Sequence, residues 1–165
     1  MKKFIIAVYV DNKFGVLTRV TSMFTRRGFN IDALTVGKTE SDEFSRITIT
    51  MYGDDAAKEQ MIKQLKKLVN VKMVKLLSKE SSVVRELMLI KVKNDRKTKN
   101  EIMTAVSIFR SKIIDYSANA LCIEVTGDTE KLDAFIEIMK PLGIIEMCRT
   151  GIVALERGEG SLLEQ

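Results

Sequence analysis

Apolar residues along the chain fall into short blocks whose spacing predicts strands and helices in turn. Residues 3–10 (KFIIAVYV) are rich in β-branched and aromatic side chains, which is typical of a strand. From Gly15 onward, apolar side chains recur at every third or fourth position as far as Phe24, which predicts one face of a helix of about three turns. Gly28 then provides a residue at which this helix ends. The chain therefore begins with a strand, a loop over residues 11–14 and an amphipathic helix.

The next blocks complete a first half with the order βαββαβ. Two alternating segments, residues 31–37 and 44–52, predict strands on either side of a polar turn. Asp54 and Asp55 precede a second helical pattern, and residues 71–77 predict a fourth strand. The same order returns in the second half, with predicted strands at residues 86–92, 112–116, 120–126 and 144–148 and predicted helices at residues 98–110 and after Asp128, the latter ended by Pro141 and Gly143.

We therefore predict an α+β protein with two ferredoxin-like βαββαβ domains in tandem. The first domain covers residues 1–77 and the second covers residues 85–158. A polar linker over residues 78–84 joins them, and residues 159–165 are expected to form a flexible tail.

One sheet face of the first domain lacks an obvious partner. The segments FIIAVYV and ITITMY carry apolar side chains in both phases of the strand, so helices on one face leave apolar surface exposed on the other. We expect sheets or sheet edges to pair, either within the chain or between chains.

Composition indicates an ordinary globular protein and excludes several classes. The 165 residues are 45% hydrophobic and 30% charged, and no apolar run approaches the ~20 residues of a membrane span. We expect a cytoplasmic protein with no membrane contact. Cys122 and Cys148 have no metal-site spacing and are expected to be buried structural thiols.

Histidine is absent from the sequence, which disfavours catalysis and metal binding. The usual acid–base group near neutral pH, the nucleophile–histidine pairs and the commonest metal ligand are all missing. Catalysis by carboxylates or lysine remains open on composition, whereas no metal site is expected. The net charge is +5, but lysines alternate with glutamates and no basic cluster is interleaved with aromatic residues, so nucleic-acid binding is not expected.

The stretch DNKFGVLTRVTSMFTRRGFNI, residues 11–31, is the candidate binding site. In the predicted fold it is expected to bring Asn12, Gly15 and Asn30 toward one place. The N–H groups of Gly15, Val16 and Leu17 at a helix N-terminus favour a carboxylate, and asparagine amides provide both donors and acceptors. Spacing alone leaves a second interpretation open, in which the asparagines and Gly15 only form turns and caps.

The same stretch resembles the signature of an ACT domain, a small amino-acid-sensing module, at Asn12, Gly15, Leu17, Val20, Phe24, Gly28, Asn30 and Ile31. Further blocks, ALTVGKTE, SRITIT, QLKKLVNV, RELMLIKV, IFRSKIIDYS and KLDAFIEIMKPLGIIEMCRTGIVALERG, resemble the regulatory (small) subunit of acetolactate synthase, also called acetohydroxyacid synthase. This resemblance covers nearly the whole chain in one register.

The resemblance implies a non-catalytic regulatory subunit. In this family the large subunit carries thiamine diphosphate, magnesium and FAD, so no cofactor is expected in this chain. The small subunit raises the activity of the large subunit and confers feedback inhibition by a branched-chain amino acid, usually valine. Effectors of the family bind where two ACT domains meet in a homodimer.

The resemblance also implies which residues form the effector site: Asn12, Gly15, Val16, Leu17, Asn30 and Ile31. Asn30 and Ile31 of one chain would face the loop of the other, and Val16, Leu17 and Ile31 would contact the aliphatic side chain of the effector. The second half lacks this pattern, so we expect it to bind no valine and to serve assembly or activation.

Three other functions are conceivable for a chain of this fold. A free-standing ACT-domain sensor acting on another partner is the principal alternative, although it would not need the block from Arg149 to Gly158. A small phosphatase of this fold would need an arginine-bearing phosphate loop, and DNKFG offers only Lys13. An RNA-binding sheet would need exposed aromatic residues on its central strands, and those of this chain are scattered.

Overall fold

The computed structural model describes residues 2–162 and contains two compact units. Residues 2–84 and 152–162 belong to the first unit, and residues 85–151 form the second. The elements of the first part of the chain are β1 (Lys2–Asp11), α1 (Val16–Thr25), β2 (Ile31–Lys38), β3 (Phe44–Gly53), α2 (Asp55–Leu65) and β4 (Val71–Leu77). Those that follow are β5 (Ser82–Lys93), α3 (Lys99–Ile108), β6 (Lys112–Tyr116), β7 (Ala120–Gly127), α4 (Thr129–Gly143), β8 (Ile144–Arg149) and β9 (Val153–Glu156).

The observed element order confirms the predicted α+β fold class with two βαββαβ repeats. The first sheet has the antiparallel order β2-β3-β1-β4, and the second has the order β6-β7-β5-β8, with β9 also pairing with β5. Central strand β1 pairs with β3 over its full length, from Lys2 opposite Gly53 to Asp11 opposite Phe44. Because β1 and β2 both run antiparallel to β3, they point in the same direction, and α1 returns the chain between them.

Helices α1 and α2 bury one face of the first sheet. Alternate residues of β1, from Phe4 to Val10, point toward these helices, since successive strand side chains face opposite sides. The fully buried members of this core include Ile6, Val8, Val20, Ile49, Met61 and Leu65.

The other face of the first sheet is covered by a segment from far along the chain. Ile5, Ala7 and Tyr9 of β1 pack in one cluster with residues from β4, from the start of β5 and from the end of the chain: Leu77, Val84, Ile152, Ala154 and Leu162. The guanidinium of Arg46 donates from Nη2 to the carbonyl oxygen of Ala154 at 2.7 Å. The expected pairing of this apolar face is therefore made within the chain.

Three predicted boundaries differ in the structure. The second unit ends at residue 151 and not at 158, because Ile152 and Ala154 pack with β1 of the first unit. The predicted linker over residues 78–84 includes the start of β5, because Ser82 and Val84 are buried and join the sheet. The predicted tail over residues 159–165 is packed as far as Leu162, which is buried against the first sheet, and residues 163–165 lie outside the described residues.

The second unit has a separate core of the same kind. Met88, Ile90 and Val92 of β5 are fully buried in a cluster with residues of α3, β7 and α4. The rings of Phe109 and Phe135 meet edge to face, with their centroids 5.2 Å apart.

The last helix of the second unit continues past its proline. The Asp128 carboxylate caps α4 by accepting from the backbone N–H of Lys131 at 2.9 Å. Pro141 and Gly143 were expected to end this helix together; Pro141 lies in its last turn, where the missing N–H costs one hydrogen bond. The helix ends at Gly143, whose φ of 95° is favourable only for glycine.

The prediction of two buried thiols is wrong. Cys148 is exposed on edge strand β8, and Cys122 is half-buried on β7. Cross-strand register pairs Cys148 with Leu89 and Cys122 with Lys91, which alternate with the helix-facing residues of β5. Both thiols therefore lie on the sheet face opposite the helices.

Among residues 2–162, no helix has the length and apolar content needed to cross a bilayer.

Candidate functional site

The loop that follows β1 is held against the turn between β2 and β3. The backbone N–H of Asn12 donates to the carbonyl oxygen of Glu43 at 2.7 Å, and its side-chain Nδ2 donates to the carbonyl oxygen of Asp42 at 3.0 Å. Asn12 thus has a structural role here, as the turn-and-cap interpretation expected. It fixes the position of the loop while its Oδ1 carries no hydrogen bond from residues 2–162.

A chain of polar contacts braces the start of this loop. Asp11 accepts from Asn70 Nδ2 at 3.0 Å and forms an ion pair with Lys72 at 3.1 Å. The Oδ1 of Asn70 accepts from Arg19 on α1 at 2.9 Å, so the loop is connected to the helix through one amide. The hydrogen bond from Asn70, reinforced by Lys72, lowers the pKa of Asp11 below its usual value. Sequence reasoning missed this network, because Asp11 and Asn70 are separated by 59 positions.

Gly15 shapes the N-terminus of α1. It occupies the N-cap position with φ 78° and ψ −5°, a left-handed conformation that favours glycine, and no side chain of the described residues caps the helix. The N–H of Val16 donates to the carbonyl oxygen of Lys13 at 3.3 Å, so it is not free as expected. The N–H groups of Gly15 and Leu17 have no acceptor among residues 2–162. This helix N-terminus therefore presents two donors and the positive end of the helix dipole.

The side chains predicted to contact an aliphatic effector differ in exposure. Val16 is only 4% exposed and packs in the first core, so the expectation that its side chain lines a binding surface is wrong. Leu17, one position later, is 42% exposed, and Ile31 is half-buried at the margin of the same core. The helical spacing of Val16 with Val20 was a signal for its inward position.

Asn30 lies at the far end of α1. The helix stops in a turn where the N–H of Phe29 donates to the carbonyl oxygen of Phe24, and Gly28 has φ 68°. Asn30 follows as an exposed residue directly before β2, and its side chain has no hydrogen-bond partner among residues 2–162. Its amide is available to a ligand or to another chain.

The structure separates the two groups of site residues within one chain. Ile31 pairs with Met51, which pairs with Phe4 near the start of β1, whereas the loop follows Asp11 at its end. Seven residues of strand correspond to about 23 Å, and the ten residues of α1 span about 15 Å. The expectation that Asn12, Gly15 and Asn30 come together in one chain is therefore wrong, because α1 holds the loop and Asn30 apart.

Strand β2 lies at one edge of the first sheet. In the described residues it pairs only with β3, so one side of its backbone carries N–H and C=O groups without strand partners. Val36 on this strand is 42% exposed on the helix-facing side, where Leu34 packs against the core. This edge is open to pairing with another strand.

The Arg149 block contains an ion cluster within the second unit, in which Glu86 is the buried member. Arg149 donates from Nε and Nη2 to the two carboxylate oxygens of Glu86 at 2.8 and 2.7 Å, and from Nη1 to Asp133 at 2.7 Å. Glu86 is 5% exposed. The hydrogen bonds to Glu86, followed by those to Asp133, raise the pKa of Arg149 above its already high value. The geometry is that of a structural anchor between β5, β8 and α4.

Within residues 2–162, no three side chains of aspartate, glutamate, cysteine or histidine come together in a way that would hold a metal ion. The loop and Asn30 offer backbone N–H groups and a side-chain amide that can form hydrogen bonds.

Comparison with known families covers both halves of the chain. The family described as "AHAS small subunit-like ACT domain" matches residues 6–73, and the family described as "Small subunit of acetolactate synthase" matches residues 85–158. The acetolactate synthase small subunit of Mycolicibacterium smegmatis is 46% identical over 153 residues, which are 93% of this chain and 90% of the relative.

This chain belongs to the acetolactate synthase small-subunit family.

Other relatives extend the match over the full length. The acetolactate synthase small subunit of Aquifex aeolicus is 43% identical over 166 aligned positions, covering 100% of this chain and 86% of that relative. The crystal structure of the small subunit of acetolactate synthase from Thermotoga maritima superposes with a TM-score of 0.90 at 42% identity, covering 97% of this chain and 100% of that one. The family resemblance found in the sequence motifs is thereby confirmed, with an ACT domain in the first half.

Proposed function

We propose that this chain is the non-catalytic regulatory subunit of an acetolactate synthase in the cytoplasm. It raises the activity of the large subunit, which carries thiamine diphosphate, magnesium and FAD, and makes that activity sensitive to a branched-chain amino acid, with valine as the first candidate. The family membership supports the partner, and the separation of the site residues supports how the effector binds.

The separation of Asn30 from the loop is the observation that carries this proposal. Neither group alone offers all the partners that an amino acid needs, and one chain holds them at opposite ends of α1. A second copy of the chain supplies the other group of site residues. The effector site is therefore proposed to lie between two ACT domains in a homodimer.

The open edge of β2 supports a specific way to build that dimer. If two β2 strands pair antiparallel about a twofold axis, the start of one lies beside the end of the other. The end of β2 at Lys38 is level with the end of β1, from which the loop emerges. Asn30 of one copy then approaches the loop and the α1 N-terminus of the other, and both edges are covered.

The two halves of this site match the groups of an amino acid. The free N–H groups of Gly15 and Leu17 at the helix N-terminus suit the carboxylate. The carbonyl side of the Asn30 amide accepts from the ammonium, and the exposed Leu17 with Ile31 contacts the aliphatic side chain. Val16 contributes backbone only, because its side chain is buried.

Regulation follows from linkage between effector binding and the arrangement of the dimer. An effector that binds between two domains favours the arrangement in which both halves of the site face each other, and that arrangement contacts the large subunit less productively. Such coupling typically amounts to ~1–3 kcal/mol, a several-fold to hundredfold change in affinity. The second unit, residues 85–151, is proposed to bind no effector and to serve assembly or activation.

The test measures acetolactate formation by the large subunit of the same organism. The large subunit is assayed alone, with this protein, and with valine, leucine or isoleucine titrated in. We expect stimulation by the protein and inhibition by valine, and Asn30→Ala is expected to raise the half-inhibitory valine concentration about tenfold, since hydrogen bonds to a charged group are typically worth ~1.5–3 kcal/mol.

Asn100→Ala is the matched control, because Asn100 is an exposed asparagine in the first turn of α3, outside the proposed site. The control is expected to stimulate and to respond to valine like the parent protein. Absence of stimulation at saturating protein would exclude the regulatory-subunit function and favour a free-standing amino-acid sensor. Unchanged valine inhibition in Asn30→Ala would exclude the proposed site.

A further inference from the structure

A groove between α1 and α2 in the first unit combines an apolar floor with positively charged rims. We call it the helix groove; it has a volume of about 440 Å³, with Met23 and Leu68 at its floor and Arg19, Arg26, Arg27 and Lys67 around it. No aspartate or glutamate lines it among the described residues. Four positive charges thus converge on one concave surface.

Two of these cations are held in place by neutral partners. Arg27 donates from Nη2 to Oε1 of Gln64 on α2 at 2.8 Å and from Nη1 toward the carbonyl oxygen of Met23. Arg19 donates to the amide oxygen of Asn70 at 2.9 Å. Neutral acceptors orient the guanidinium groups without cancelling their charge. Both rims are therefore fixed and remain cationic.

The other two cations have no counter-charge. Arg26 and Lys67 show no side-chain hydrogen bond or ion pair with any of residues 2–162. Several other lysines of this unit pair with nearby carboxylates: Lys2 and Lys58 with Asp55, Lys38 with Asp42, and Lys72 with Asp11. Arg26 and Lys67 thus differ from these lysines, and Lys66, outside the groove, also lacks a partner among residues 2–162.

The floor of the groove distinguishes it from a solvated basic surface. Met23 is only 5% exposed, and Leu68 is half-buried and packs against the first core. A groove with apolar residues at the bottom and charges at the edges suits an amphipathic peptide segment with acidic side chains along its borders. No aromatic side chain lines it, which is unfavourable for base stacking.

We infer that the helix groove docks an acidic amphipathic segment of the catalytic large subunit, an inference that rests on the proposed function. Carboxylates of that segment pair with the uncompensated Arg26 and Lys67, and its apolar side chains cover Met23 and Leu68. The groove also shares α1 with the effector site, and Arg19 is connected through Asn70 to Asp11 at the base of the effector loop. A shift of α1 therefore changes both surfaces.

The test uses charge reversal with a control of equal charge. The variant Arg26→Glu with Lys67→Glu removes both uncompensated cations, and neither residue has a structural partner among residues 2–162. The control is Lys63→Glu with Lys66→Glu, which makes the same change in net charge on exposed positions of the same helix region, outside the groove. Lys63 has only an exposed ion pair of 3.9 Å with Glu59, which contributes little.

Two readouts are made on the full-length proteins: binding of fluorescently labelled protein to the large subunit, and the concentration of protein that gives half-maximal stimulation. We expect the groove variant to weaken binding and to raise that concentration at least tenfold, while the control stays within about twofold of the parent protein. Raising the salt concentration is expected to weaken binding of the parent protein more steeply than binding of the groove variant.

The outcomes separate this inference from the proposed function. Binding without stimulation would exclude the proposed function. The docking inference would then still be supported if the groove variant binds the large subunit more weakly than the control does. No binding of the parent protein, or equal binding by variant and control, would overturn the inference. Equal displacement of the large subunit by duplex DNA at the same charge concentration would also overturn it, because the groove would then be a general polyanion site.

Discussion

Replacing Arg149 by methionine leaves the carboxylate of Glu86 buried without its guanidinium. In the structure both oxygens of Glu86 accept from Arg149, at 2.8 and 2.7 Å, and the residue is 5% exposed. Methionine is similar to arginine in length and fills much of the same space, so the main change is the loss of charge and hydrogen bonds.

The expected loss of stability follows from the burial of Glu86. Removing one partner of a buried ion pair typically costs 3–5 kcal/mol, because the other charge is left without compensation. The side chain of Arg149 is 27% exposed, so water reaches the vacated space and lowers the cost. We expect the free energy of unfolding to fall by about 2–3 kcal/mol.

The assay is equilibrium unfolding in urea followed by far-ultraviolet circular dichroism. The double variant Glu86→Leu with Arg149→Met is the control, since replacing both ions by apolar side chains is often close to neutral. It is expected to recover more than half of the stability lost in the single variant.

The result that would refute this reasoning is a loss below about 0.5 kcal/mol for Arg149→Met, the range of an ordinary surface substitution. Arg149 would then be a surface residue in solution, and its contacts with Glu86 and Asp133 would not stabilise the fold.

Two further predictions concern the first unit. Ile152→Ala is expected to lower the free energy of unfolding by about 2–4 kcal/mol in the same urea assay, because Ile152 is 5% exposed on the second face of the first sheet. The control is its neighbour Val153, which is 48% exposed. Val153→Ala is expected to change the free energy of unfolding by less than about 0.5 kcal/mol. Equal effects of the two substitutions would contradict the observed packing. Asp11→Asn is expected to destabilise the protein at pH 7 but not near pH 3. The pKa of Asp11 is lowered in the folded state, so the ionised carboxylate stabilises the fold above the unfolded pKa of about 3.9. This stabilisation is lost as the pH falls through the folded pKa. A stability difference that stays constant from pH 7 to pH 3 would contradict this assignment.

Local patterns in the sequence were sufficient for the elements and their order. The apolar spacing from Val16 to Phe24 and the glycines at positions 15 and 28 determine where α1 begins and ends, since helix periodicity and positive φ are properties of a few neighbouring residues. The same is true of the Asp128 cap and of the two βαββαβ repeats. Motifs of this kind also identified the family before the fold was known.

The exposure of individual side chains and the identity of their packing partners could be determined only from the tertiary structure. Cys148 was expected to be buried because its neighbours are apolar, but it lies on an edge strand that no other strand covers on its outer side within the described residues. The apolar second face of β1 was expected to need a partner, and the sequence did not show that residues 152–162 provide it. A pattern shows that a face must be covered, whereas the covering segment is determined by packing between residues about 150 positions apart.

In the candidate site, too, residue types could be predicted from the sequence, whereas residue positions required the tertiary structure. The residue types at Asn12, Gly15 and Asn30 were recognisable from the sequence, because amides and a helix N-terminus have chemistry of their own. Their positions were not, because the direction in which α1 runs between β1 and β2 is set by the pairing of both strands with β3. The sequence by itself determined the family, the elements and the chemistry of the loop. Only the tertiary structure placed Asn30 at the opposite end of α1 from that loop, since strand pairing and helix packing act between residues that are distant in the chain.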